Sequence, residues 1–253
     1  MSASRQEQNK PANTPVEAPN LEWLEGEVPR AEGFDDTYFS KAGGLEETRH
    51  VFLAGNRLPE RFSARERFTI AEFGFGTGLN FLTTLLAIEK LERPPKLTFV
   101  SFELHPMNTD QLARALGAFP ELGELTSKLL SAWGPEPGWN RLEVAGAELL
   151  LGIGDARKLI DQLKLNAVEG KGEALMIAPV DAWYLDGFSP AKNPQLWDAD
   201  LLKAAAKLTG SDGTLATYTS AGWVRRNLQA AGFVIEKVSG FAGKREMVIG
   251  QKS

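Results

Sequence analysis

Ala71-Glu72-Phe73-Gly74-Phe75-Gly76-Thr77-Gly78-Leu79-Asn80 is an acid followed by alternating glycines. Phe68-Thr69-Ile70-Ala71 reads as a buried strand, and the stretch from Leu79 to Ile88 has the apolar density of a helix packed on a sheet. At a strand-to-helix junction, glycines let a nucleotide-type cofactor lie against the backbone. A dinucleotide fingerprint needs Gly or Ala at the sixth position of G-x-G-x-x-G, and counting from Gly74 that position is Leu79. Gly74, Gly76 and Gly78 instead fit E-x-G-x-G-x-G, which favours S-adenosylmethionine over NAD. The competing reading of a lone G-x-G-x-G is a tight turn that holds no ligand. The cofactor contacts expected here are Glu72, Gly74, Phe75, Gly76, Thr77, Gly78 and Asn80.

A second acid supports the cofactor reading. Lys96-Leu97-Thr98-Phe99-Val100-Ser101-Phe102-Glu103 reads as the next strand and ends 25 residues beyond Gly78, the distance of one helix and one strand. Glu103 is thereby placed to accept both ribose hydroxyls. A third acid, Asp155, follows the apolar run Ala147–Leu151 and precedes a helical pattern. It is expected either to contact the adenine amino group or to serve as a plain helix N-cap.

Composition bounds the class. With 253 residues, 43% hydrophobic and 24% charged, the chain is long enough for one α/β domain with a sizeable core. Residues 1–20 lack apolar periodicity and are expected to be a disordered tail, and they have no apolar segment of a signal peptide. No apolar run has the ~20 residues of a membrane span, so a cytoplasmic protein without a membrane partner is expected. Zero cysteines and two histidines make a metal centre improbable. The missing thiol also removes a chemistry, because methylation of a pyrimidine C5 ordinarily needs a thiolate adduct. A methyl acceptor for this chain is therefore expected to be nucleophilic already.

Beyond the cofactor half, strands and helices alternate: a strand over Val180–Leu185, a helix near Leu196–Leu208, a strand over Gly213–Tyr218, a helix near Ala221–Ala231, then strands over Phe233–Val238 and Glu246–Gly250. The short Gly-rich link between the last two strands excludes a helical crossover, so they are expected to pair antiparallel. Arg141–Ala145 and Glu148–Ile153 around Gly146 look like a hairpin. The expected fold is a doubly wound, Rossmann-like α/β sheet of seven mostly parallel strands with an antiparallel last strand. An N-terminal cap over about 21–67 precedes it within a domain of 21–253.

Leu185-Asp186-Gly187-Phe188-Ser189-Pro190-Ala191-Lys192-Asn193-Pro194 leaves the fourth strand at the edge where open α/β sheets bind ligands. Asp186 is the candidate catalytic group, able to orient an amine and take its proton. Phe188 is either a ring packed on the acceptor base or a core residue.

Several unusual stretches together resemble one family: Phe34–Ser40, Gly44–Phe52, Glu72–Asn80, Leu185–Pro194, Thr219–Arg226 and Lys244–Met247. They look like the methyltransferase domain of the bacterial tRNA 5-methylaminomethyl-2-thiouridine biosynthesis enzymes of the MnmC/MnmD type. The resemblance implies methyl transfer from S-adenosylmethionine to the exocyclic amine of 5-aminomethyl-2-thiouridine at the tRNA wobble position. It also implies a flavin-dependent oxidase, separate or fused, that prepares that amine. The alternatives are a small-molecule N-methyltransferase or an aminopropyltransferase of the same fold. Net charge −5 argues against broad nucleic-acid binding, so phosphate contact is assigned to local basic groups: Arg225, Arg226 and Lys192. The cluster Arg49, Arg57, Arg61, Arg65 and Arg67 reads either as a further basic patch or as a solvated face. Asp35, Asp36 and Tyr38 are expected to line the cap side of a pocket for a flipped base, a purely structural lid being the competing account.

Overall fold

The computed structural model describes residues 17–165, 175–243 and 246–253. The expected tail lies outside these as far as residue 16, and so does the Lys244–Arg245 pair. Residues just after that point are tied down: Gln111 Nε2 donates to the Pro19 carbonyl at 2.9 Å, and the Glu32 amide to the Asn20 carbonyl at 3.1 Å.

Three short strands open the described chain, β1 (Leu21–Leu24), β2 (Val28–Ala31) and β3 (Asp36–Thr37), joined as a small antiparallel sheet. Helix α1 (Gly44–Thr48) follows and runs on through a π-helical turn, Arg49–Leu53. The main sheet begins with β4 (Arg67–Phe73), which leads through the glycine loop into α2 (Leu79–Ile88). Next come β5 (Lys96–Glu103), α3 (Thr109–Leu116), α4 (Gly123–Ala132) and the strands β6 (Gly138–Val144) and β7 (Ala147–Ile153). A short α5 (Ala156–Leu159) precedes a small parallel pair, β8 (Leu163–Leu165) and β9 (Leu175–Ile177). The chain finishes with β10 (Val180–Leu185), α6 (Ala199–Leu208), β11 (Thr209–Thr217), α7 (Gly222–Ala230), β12 (Phe233–Ser239) and β13 (Glu246–Lys252).

The main sheet has eight strands in the order β12-β13-β11-β10-β4-β5-β7-β6. Five neighbouring strands, β11-β10-β4-β5-β7, run parallel, whereas β13 is antiparallel to both β11 and β12. The expected antiparallel end is thus present, and the count exceeds seven by one edge strand. That strand is β6, folded onto β7 by a turn in which Ala145 and Gly146 both have positive φ, as a tight hairpin requires.

The sheet is buried on both faces, which is why its strands read as continuous apolar runs. Phe68, Ile70, Phe99 and Tyr184 face α2, α3, α4 and the N-terminal segment. Ala71, Phe73, Val100 and Trp183 face α5, α6 and α7. Among the described residues no helix is long and apolar enough to cross a membrane.

At the amino ends of the strands the chain before β4 is bolted to the sheet. Arg61 donates to Thr214 Oγ1 at 2.6 Å and to the carbonyls of Asn56, Asp181 and Asp212 at 3.0–3.3 Å. Arg65 pairs with Asp181 at 2.6 Å, whose second oxygen accepts from the Thr69 amide. Two of the five clustered arginines, Arg61 and Arg65, therefore spend their donors inside the fold. Arg61→Met leaves these acceptors without their charged donor, and urea titration should show unfolding free energy lowered by about 2–3 kcal/mol. Cofactor affinity should not change, because the bolt lies at the opposite end of the strands from the site.

Candidate active site

A cavity of about 820 Å³ opens at the carboxyl ends of the parallel strands, lined by the loops after β4, β5, β7 and β10 and closed over by the N-terminal segment that precedes β4. Strand order reverses between β4 and β10, so the loops leaving them diverge and create a crevice. At its base the two loops touch: a Cβ on Gly74 would stand 3.0 Å from the Gly187 Cα. Gly76, at φ +56°, brings its bare Cα against the Tyr38 ring, where a Cβ would come within 3.1 Å.

Four named acids surround this crevice in different states. Glu103 accepts from the Gly76 amide with one oxygen (2.8 Å) and from the His105 amide with the other (2.9 Å), while lining the cavity. Each oxygen keeps a second acceptor position, the pair of acceptors that a donating diol needs. Asp155 is the N-cap of α5, accepting from the Arg157 amide and pairing with its guanidinium at 2.6 Å. The Arg157 hydrogen bond holds the Asp155 carboxyl below its usual range. Glu72 points into the α2 face and is fully buried. Burial, reinforced by the charge of Asp186, pushes its carboxyl well above the ordinary range, against hydrogen bonds from Ser101 Oγ (2.7 Å) and Asn80 Nδ2 (2.9 Å). Asp186 lines the cavity and accepts from the same Asn80 nitrogen at 2.7 Å.

The opposite wall is aromatic. Phe188 stacks on Phe34 with centroids 4.6 Å apart and meets Tyr38 edge-on at 5.1 Å. Burial raises the Tyr38 phenol well above its usual range, and the Glu103 charge adds to this. Three consecutive residues latch the N-terminal segment to the Asp186 loop. Phe34 does so through that stack, Asp35 through an ion pair with Lys192 at 3.0 Å, and Asp36 by accepting from the Ser189 amide at 2.9 Å.

Gly74, Phe75, Gly76, Thr77, Asn80, Glu103, Asp155, Tyr38, Phe188 and Asp186 all line the cavity. Glu72 lies beneath it, and Gly78 caps α2 instead. Asp35 and Lys192 bind each other at the rim. Arg225 and Arg226 stand in α7 away from the cavity lining, Arg225 donating to the Ser220 carbonyl at 3.2 Å and Arg226 exposed. The cavity also holds Glu47 and Tyr218, which periodicity did not mark. Tyr218 follows β11, and that carboxyl-end position is the signal by which it was there to be found. Its hydroxyl donates to the Gly187 carbonyl at 2.8 Å. Burial raises its phenol well above the usual range, followed by the charges of Asp186, Asp36 and Glu47.

A glycine-walled crevice beside a strand-end carboxylate, opposite an aromatic wall, fits a nucleoside cofactor with room for an acceptor. The chain belongs to a family of S-adenosyl-L-methionine-dependent methyltransferases, whose profile matches residues 120–253. Its cofactor is accordingly S-adenosylmethionine. It is 44% identical over 253 residues to the tRNA 5-methylaminomethyl-2-thiouridine biosynthesis bifunctional protein MnmC of Aeromonas hydrophila, which covers 96% of this chain and 36% of the relative. The same protein of Ectopseudomonas mendocina is 45% identical over 237 residues, covering 91% and 34%. The chain spans about a third of the length of these curated relatives. In fold it is similar to MNMC2 from Aquifex aeolicus, with TM-score 0.68 and 22% identity over 92% of this chain and 70% of that one. It is also similar to spermidine synthase from Thermotoga maritima, with TM-score 0.51 and 9% identity over 96% and 72%.

The raised Glu72 carboxyl makes a pH-dependent contribution to stability. Folded Glu72 holds its proton more tightly than the unfolded chain does, so its contribution is complete below the ordinary value of 4.5 and is lost as pH rises through the folded value. Glu72→Gln removes that loss. Urea titrations should show the variant gaining stability relative to wild type as pH is raised above the ordinary carboxylate range.

Proposed function

We propose that this chain methylates the exocyclic amine of 5-aminomethyl-2-thiouridine at the tRNA wobble position, giving 5-methylaminomethyl-2-thiouridine. The observation that carries the reading is the Asp186 carboxylate, held in the cavity between the glycine loop and the Phe34–Phe188–Tyr38 wall. The names of the relatives support the substrate, at 43–45% identity across more than nine-tenths of this chain.

S-adenosylmethionine supplies an electrophilic sulfonium methyl. The backbone of Gly74 to Gly78 would hold its methionine part, Glu103 its ribose hydroxyls and Asp155 its adenine amino group. Asp186 orients the acceptor amine, which is mostly protonated at neutral pH, and receives the proton it must lose before attack. Most of the remaining rate comes from alignment, which the latched loop secures. Phe188 and Tyr38 flank the flipped base, with residues 21–67 acting as a cap within a methyltransferase domain of 21–253.

The partner is tRNA, with Arg225 and Arg226 meeting phosphate on the flank of the site and Lys192 holding the rim. A flavin-dependent oxidase, separate or fused, prepares the amine. A tRNA substrate places the activity in the cytoplasm.

Incubation with methyl-labelled S-adenosylmethionine and tRNA from cells lacking this activity should label the wobble uridine. Label elsewhere, or none, sinks the substrate assignment. Asp186→Ala should keep cofactor affinity while turnover falls roughly 10²–10⁴-fold; unchanged turnover removes Asp186 from the chemistry. Tyr38→Ala should bind cofactor and fold as wild type does yet methylate tRNA at least about tenfold more slowly. Full activity in that variant would leave the cap a purely structural lid.

A further inference from the structure

Beneath Asp186 a buried polar chain runs from the N-terminal segment to the sheet. Thr48 Oγ1, at the end of α1, donates to Asn80 Oδ1 at 2.7 Å. Asn80 Nδ2 donates to Asp186 Oδ2 at 2.7 Å and to Glu72 Oε1 at 2.9 Å. Ser101 Oγ on β5 donates to Glu72 Oε2 at 2.7 Å. Thr48 and Asn80 are 2% and 7% exposed, and Glu72 and Ser101 are 0% exposed, so bulk water does not compete for the bonds among these four, while the Asn80–Asp186 bond is part-buried at the cavity wall.

We propose that Asn80 is a positioning residue for methyl transfer. It aims the Asp186 carboxylate at the acceptor, and Thr48 locks its amide in the one orientation that does so. An asparagine amide has two donor protons, and here each goes to a different carboxyl group. Turning the amide over would set Oδ1 against both carboxyl groups and forfeit two hydrogen bonds. Thr48 secures the same choice from the other side by donating to Oδ1. The Asn80 donors are thus committed to protein carboxyls, which leaves this side chain no proton for the cofactor although it closes the glycine motif.

The arrangement has a mechanical logic. Asp186 stands just past the end of β10, on a loop that turns at Gly187 with φ +103°; the contacts that latch this loop hold its backbone and its neighbours, not the Asp186 carboxylate. Asn80 stands in the first turn of α2, packed on the sheet. One hydrogen bond therefore transfers the precision of the helix to a side chain on a loop. Because Thr48 belongs to the segment that closes the cavity, seating of that segment and alignment of Asp186 are a single event.

This rests on the role given to Asp186 above, and two readouts separate the claims. Cofactor affinity by calorimetry needs no acceptor. Asn80→Ala should bind S-adenosylmethionine within about threefold of wild type, whereas a loss beyond about tenfold makes Asn80 a cofactor ligand and overturns the proposal. At saturating cofactor and tRNA, Asn80→Ala should lower kcat about 100-fold. Thr48→Val, nearly isosteric and safe for folding, should lower kcat about tenfold, and Thr48→Ser should restore it. Full kcat in Thr48→Val overturns the lock. Wild-type enzyme on the same tRNA reports separately on the substrate assignment, since a wild type that leaves tRNA unlabelled refutes that reading while the calorimetric arm still decides the place of Asn80.

Discussion

Two loops leave neighbouring parallel strands and meet backbone to backbone where Gly74 faces Gly187, and the rest of the site depends on that contact. A side chain at Gly74 would bring its Cβ to 3.0 Å from the Gly187 Cα. With only hydrogens there, the loop after β10 folds low over the first turn of α2, and Asp186 comes within 2.7 Å of Asn80. The same low path lets Tyr218 reach the Gly187 carbonyl and puts Phe188 beneath Phe34 and Tyr38. Cavity depth, carboxylate placement and the aromatic wall all follow from one close approach.

The polar chain below Asp186 is placed where the fold makes it expensive. Burying a carboxyl such as Glu72 costs several kcal/mol unless it is hydrogen-bonded or neutral. Here both remedies operate: two donors reach the carboxyl, and burial favours its protonated form. An apolar pair at Glu72 and Ser101 would pack against Tyr184 and Phe99 with less penalty, but it would leave the Asn80 amide without one of its two acceptors. The stability conceded beneath the cavity is what keeps the loop carboxylate aligned.

The charge distribution is compatible with the polyanionic substrate proposed above. Net charge −5 gives little general attraction to phosphate, and Arg61 and Arg65 are withdrawn into internal bonds at the far end of the sheet. Arg226 is exposed on α7, and Lys192 stands at the cavity rim. On the proposed tRNA reading, recognition would rest on shape and on the flipped base more than on a long-range field.

Much of the fold was legible in the sequence because its strands carry the signature of a parallel sheet buried on both faces. Phe68 to Phe73, Leu97 to Phe102 and Val180 to Leu185 are nearly continuous apolar runs, and the lengths between them leave room for crossover helices. The glycine spacing after Glu72 and the acid at Glu103 pointed to the cofactor class, since those are local requirements of backbone geometry. The added strand β6 came from a hairpin visible in the sequence, but its place at the sheet edge is a matter of pairing between distant segments. Composition and periodicity were silent on Glu72 and Asn80 as partners, on the Phe34–Phe188 stack, and on Tyr218 and Glu47 in the cavity. The stack joins residues more than a hundred positions apart, Tyr218 and Glu47 stand in a cavity that only the assembled strand ends enclose, and the Glu72–Asn80 pair, eight positions apart, meets only because the glycine loop folds the start of α2 back over the end of β4. Asn80 shows the division most clearly. Its place in the motif follows from chain order, and its duty follows from the three side chains that the fold brings to its amide.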